Sequence, residues 1–217
     1  MATSGPVRAT SGSPIPAKRY TKGDRTKERI VDAAAELFSK SGYLAVSLRD
    51  IAGAAGLTHA GALHHFPGGK DELLMRVLER RDQIDADVLF DEHLDAWDHL
   101  DQLLHIVERN AMTPGLVALY AKLSNEASDT DHPAHTYFRR RYEILREHFA
   151  GILGELAGDR PGPRPDPDAA AQQLIALLDG LQTQWLLAPD TIDMRGRLID
   201  FLALLGIDTS RWESDPG

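Results

Sequence analysis

Ser47 to Phe66, SLRDIAGAAGLTHAGALHHF, is the stretch whose reading decides the fold. Ser47 is a good helix N-cap, and Asp50 three residues on is placed to close a capping box. Leu48, Ile51, Ala52 and Ala55 fall on one face of a short helix, and Gly56 can take the positive φ that ends it. Leu57 is placed to anchor the turn, and Thr58 to cap a second short helix ending near Phe66. Two brief helices joined by a Gly-containing turn describe a helix-turn-helix, whose second helix lies in the major groove of DNA. An ordinary helical hairpin in a bundle core has the same spacing. The faces favour DNA: Thr58, His59, Gly61 and His64 make the second helix small and polar, a poor core element suited to phosphates and base edges.

The same residues resemble a known family. Ser47-Leu48-Arg49-Asp50-Ile51-Ala52, Ala55-Gly56-Leu57-Thr58, His64-His65-Phe66 and Lys70 are similar to the signature of TetR/AcrR transcriptional regulators. So are Thr26-Lys27-Glu28-Arg29-Ile30-Val31-Asp32-Ala33-Ala34 and Leu37-Phe38 upstream, and the close match runs from about residue 24 to 80. The resemblance implies an all-α homodimer that binds a double-stranded DNA operator and a small-molecule effector. Ser47, Thr58 and Lys70 are the expected phosphate contacts, with Thr26 where the family often touches a phosphate. Arg49, His59, Gly61 and His64 are the expected base or groove contacts, Arg49 being best suited to guanine. Two features depart from the pattern. Leu63 stands where the family usually has a phosphate-contacting tyrosine, and Pro67-Gly68-Gly69 adds one residue before Lys70.

The 217 residues are enough for one large domain or two small ones, and the scarcity of aromatics beside abundant Ala and Leu favours helices. No apolar run approaches the length of a membrane span, and the N-terminus lacks a secretory core. The absence of cysteine excludes disulfides and thiolate metal sites, and makes the cytoplasm the expected compartment. A net charge of −9 speaks against DNA until its distribution is considered. Residues 1–60 carry nine Lys and Arg against five Asp and Glu, while the remainder carries 15 against 28. Phosphates need a local basic surface, not a basic protein.

Residues 1–22 are rich in Gly, Ser, Thr and Pro and are expected to be a disordered basic arm. Residues 23–69 then form the helix-turn-helix domain, 70–207 a helical ligand-binding and dimerisation domain, and 208–217 a tail. Helical spacing predicts helices over Arg25–Lys40, Lys70–Asp87, Glu92–Arg109, from Thr113-Pro114, from Pro133, over Asp168–Leu187 and over Thr191–Leu205. The last two are apolar around more than one face. Leu178-Asp179-Gly180-Leu181 through Trp185-Leu186-Leu187 resembles the family's dimerisation helix. The expected dimer contacts are Leu174, Leu178, Leu181, Trp185, Leu198, Phe201, Leu202 and Leu205.

Catalytic constellations are missing. There is no His-Glu-x-x-His, no Gly-x-Ser-x-Gly and no Gly-rich phosphate loop, so neither an enzyme nor a cofactor is expected. Adjacent His64 and His65 point to different sides of a helix, and His93, His99 and His105 rotate around theirs, so no metal site is expected. Trp97, His105, Met112, Tyr120, Tyr142, Gln182 and Trp185 are polar or aromatic members of apolar stripes and form the expected ligand set. Two readings compete with a ligand-responsive repressor: a helical binding protein that no longer reads DNA, and an enzyme on a helical scaffold.

Overall fold

A computed structural model describes residues 22–157 and 165–212. The expected arm therefore lies almost wholly outside the described residues. Nine α-helices are described: α1 Lys22–Ser41, α2 Leu48–Ala54, α3 His59–His65, α4 Gly69–Leu89, α5 Ala96–Ala111, α6 Pro114–Glu126, α7 His135–Ala157, α8 Pro167–Leu187 and α9 Met194–Leu204. A short 3-10 turn, Ser210–Trp212, follows, and the described residues contain no strand. The fold is all-α.

Local chemistry sets most boundaries. Gly42, at φ 80°, ends α1, and a Cβ there would collide with the Glu126 carboxylate. Asp95 and Asp193 cap α5 and α9 by accepting from the amides of Asp98 and Gly196, each at 2.8 Å. Thr113 behaves differently from the expected N-cap. Pro114 does open α6, but the Thr113 hydroxyl donates backwards to Arg109 O at 3.2 Å. With only Met112 and Thr113 between α5 and α6, that hydroxyl stays within reach of the last turn of α5. The helix expected from Pro133 starts at His135, because His132 to His135 first close a turn through His135 N and His132 O at 2.9 Å.

Two apolar cores organise the molecule, and the first draws on residues from both sides of position 70. The first packs Ile30, Phe38, Ile51, Phe66, Leu74 and Leu78 of α1 to α4 against Leu119 and Leu123 of α6 and Phe138 of α7. The helix-turn-helix is thus built onto the bundle, with α6 filling the far side of α1. The second core gathers α5, α7, α8 and α9 around Leu100, Phe149, Leu174 and Leu198.

That second core takes in residues from two of the expected regions. Trp212, expected in a tail, is buried; its ring lies 6.0 Å from Trp97 and its Nε1 donates to Asp101 at 2.6 Å. Leu174, Leu181, Trp185, Leu198 and Leu202, expected at a dimer seam, are buried within the protomer. Leu178, Phe201 and Leu205 are half-buried against the same core. Both helices are apolar on several sides because they face α5 and α7. The outward face carries Ala176 and Leu187 on α8 with Ala203 and Leu204 on α9; Leu187 is 83% and Leu204 85% exposed.

Candidate nucleic-acid interface and ligand cavity

The α2–α3 unit is held by bonds written into its own sequence. Ser47 Oγ accepts from Asp50 N at 3.2 Å, and Asp50 Oδ2 accepts from Ser47 N at 2.9 Å, closing the capping box. The Ser47 hydroxyl and amide hold the Asp50 carboxyl below its usual range. Gly56, at φ 68°, makes the turn, and Thr58 Oγ1 caps α3 by accepting from Gly61 N at 3.1 Å. Arg29 of α1 donates to Ala55 O at 2.8 Å, tying the C-terminal end of α2 to α1.

In α3 only Ala62 is buried. Arg49, Thr58, His59 and His64 are exposed, as is Ser47, while Thr26, Gly61 and Leu63 are partly covered. Lys70 has a more internal position than a lone phosphate contact would have. Its Nζ donates to Tyr43 O at 3.0 Å and lies 3.9 Å from the Tyr43 ring centroid. A cation at a helix start, electrostatically unfavourable by itself, is thereby accounted for within the protein.

Tyr43 fastens this unit to the rest. Its amide donates to Glu126 of α6 at 2.8 Å, and its hydroxyl donates to Asp71 of α4. Its ring meets Phe38 and His132 at 5.7 and 4.8 Å. Burial, then the Asp71 carboxylate, raises the Tyr43 hydroxyl well above the ordinary phenol range. Lys122 of α6 caps the other end of the same turn, donating to Ser39 O at 2.6 Å.

A cavity of about 740 Å³ opens among α4 to α8. Its apolar wall includes Leu103, Ile106, Val107, Leu145 and Phe149. Its polar wall centres on Asp82 of α4. Tyr120 donates to Asp82 Oδ1 at 3.1 Å, Tyr137 donates to Oδ2, and Arg141 pairs with Oδ1. Burial raises both tyrosine hydroxyls, and for Arg141 the Asp82 carboxylate overcomes burial and lifts the guanidinium. Tyr142 donates to Asp179 at 2.7 Å on the α8 side.

The structure brings three of the seven expected ligand residues, Tyr120, Tyr142 and Gln182, to this cavity. The other four lie elsewhere. Trp97 packs on Trp212, and His105 is exposed with its Nδ1 2.7 Å from Asp101 O. Met112 is 83% exposed at the α5–α6 turn, and Trp185 is buried in the core. Composition could not tell a stripe facing a void from one facing a neighbour. Asp82, Tyr137, Arg141 and Asp179 were missed, although a signal existed. Asp82 follows Leu78 by four residues and Arg141 follows Phe138 by three, so each places a charge on a buried face.

Near the cavity's other end, Phe90 meets His148 edge-on, and His148 meets His99 edge-on, both with ring centroids 4.8 Å apart. His99 Nδ1 and His148 Nε2 have no hydrogen-bond partner among the described residues, and burial, reinforced by His99, lowers His148 to about 4. The described residues contain no group of three side chains able to hold a metal, and no helix long and apolar enough to cross a membrane.

Comparisons with known proteins agree with this geometry. Residues 30–77 match the family "Bacterial regulatory proteins, tetR family", and residues 101–204 match "BetI-type transcriptional repressor, C-terminal". The chain is 28% identical over 188 residues to the HTH-type transcriptional regulator TtgR of Pseudomonas putida, covering 82% of this chain and 89% of the relative. It is 28% identical over 165 residues to BetI of Agrobacterium fabrum, covering 71% and 74%. Among solved structures, a transcriptional regulator from Saccharomonospora viridis in complex with choline superposes with a TM-score of 0.66 at 26% identity, covering 82% of this chain and 96% of that one. The two family matches together span most of the chain, from the DNA-reading helices to α9. The chain belongs to the TetR family of bacterial transcriptional regulators.

Proposed function

We propose that the chain acts as a homodimeric repressor that occupies a near-palindromic operator and leaves it when a small molecule fills the cavity. The observation that carries this is the pairing of an exposed, internally capped α3 with a cavity whose polar wall includes α4, the helix that follows α3 in the chain. A repressor reading agrees with the BetI-type description of the C-terminal match. A two-fold dimer presents two α3 helices to major grooves about one helical turn (~34 Å) apart. Ser47, Thr58 and Thr26 are assigned to phosphates; Arg49, His59, Gly61 and His64 to base edges and groove walls. Lys70 reaches phosphate only with the donors left after Tyr43 O. The dimer seam is assigned to the outward stripe with Leu187 and Leu204, which would otherwise leave two leucines in water.

Footprinting the purified protein on the DNA upstream of its own gene, at two salt concentrations, tests this reading. The expected result is a protected near-palindrome that survives the higher salt, because non-specific phosphate binding is lost there. Only diffuse, salt-sensitive protection, both there and in a genome-wide selection, would favour a binding protein without an operator.

A further inference from the structure

The cavity joins an apolar half to a charged one. We infer that its ligand is an amphipathic organic anion whose head group takes the place of Asp82 on Arg141, Tyr120 and Tyr137, freeing α4. The inference rests on the reading of the cavity as the effector site.

Asp82 itself is the first reason. Its carboxylate accepts from a guanidinium and two phenols, so the donor set is already shaped for a carboxylate. The second reason is that the places for a cation are taken. Arg81 and Arg141 lie 5.7 and 5.2 Å from the Tyr120 ring, so the protein's own guanidiniums occupy its cation–π positions. A quaternary ammonium would meet like charge there. Third, the lining charges among the described residues are Arg81, Arg140 and Arg141 against Asp82 and Asp179, and Asp179 is engaged by Tyr142 at 2.7 Å. An incoming anion meets an excess of lining guanidiniums over carboxylates, and its chain lies on Leu103, Ile106 and Phe149.

Displacement also supplies the coupling. Asp82 is the α4 side chain that Tyr120 of α6 and Tyr137 and Arg141 of α7 hold. The same Tyr120 hydroxyl lies 3.3 Å from Leu78 O, also on α4, an alternative acceptor for its one hydrogen. A head group that takes over these donors loosens α4 from α6 and α7, so ligand and operator favour different positions of one helix.

The test uses the full chain and three probes with one alkyl length: decanoate, 1-decanol and decyltrimethylammonium, each below its micellar concentration. Titration calorimetry is expected to rank decanoate tightest by at least about tenfold, as hydrogen bonds to a charged partner warrant. Arg141→Gln should erase that preference, Arg141→Lys should keep part of it, and Asp82→Asn should strengthen decanoate binding by weakening the internal competitor. The wild-type ranking stands even if a variant fails to fold. Decanol or the ammonium binding as tightly as decanoate, or no decanoate binding at millimolar concentration, overturns the anion assignment. Ile106→Trp, which fills the apolar half, separates the two claims: decanoate binding unchanged in that variant would place the ligand elsewhere and overturn the cavity reading itself.

Discussion

The DNA-reading unit and the cavity differ in how far apart in sequence their determinants lie. In α2–α3 both N-caps bond to a residue three positions away: Ser47 with Asp50, Thr58 with Gly61. In the cavity, Asp82 meets partners 38, 55 and 59 residues distant. Local chemistry is legible in a string of letters. Chemistry assembled by packing is not, until the helices are placed.

The two regions nevertheless share a core, and the largest expected effect tests that sharing. Leu123 of α6 is fully buried against the helix-turn-helix core. Leu123→Ala should cost about 2–5 kcal/mol, as buried Leu truncations do. Denaturant unfolding followed by a signal from each region should show both losing stability together. An α3 amide-exchange pattern that stays at its wild-type level would mean the reading unit folds alone.

Next in size is the reading surface itself. Arg49→Ala should weaken operator binding by about 1–3 kcal/mol, the worth of a bidentate base contact. Binding to random DNA should fall far less. Equal losses on both DNAs would reassign Arg49 to phosphate.

A smaller effect belongs to the cavity side. His148 sits near 4 in the folded chain against an ordinary value of 6.5. The unfolded chain therefore binds the extra proton between those values. The contribution is fully present above pH 6.5 and is lost as pH falls towards 4, and burial lowers His132 in the same direction. Discounted for partial exposure, the His148 share is about 1–2 kcal/mol. Thermal melts between pH 7 and 4 should show a flatter decline in His148→Phe. An unchanged slope would remove His148 as the cause.

The smallest effect separates expected from observed lining. Met112→Ala, at an 83% exposed position, should leave binding of any cavity ligand unchanged, whereas Tyr120→Phe should alter it. A calorimetric titration that ranks them the other way would put the ligand at the α5–α6 turn.

What the sequence carried follows the same division. The capping box, the Gly56 turn and the exposed face of α3 were all readable, because each needs only residue type and spacing. The position of Tyr43 was not. Its partners Asp71, Glu126 and His132 come from α4, α6 and the loop after it, so nothing near Tyr43 announces a fastening point. The leucines of α8 and α9 pose the opposite problem: an apolar side chain says that it is buried, not by what. Leu174 and Leu198 found α5 and α7 of the same chain, while Leu187 and Leu204 kept the outward face.

Reciprocity between the two regions is the property to measure first. Take a ligand whose binding is abolished by Ile106→Trp, and determine its affinity for the free protein and for the operator complex. The expected result is weaker binding to the operator complex, with the operator affinity reduced by the same factor in saturating ligand, typically about 5- to 150-fold. Equal ligand affinity with and without operator would contradict a cavity that controls α3 through α4.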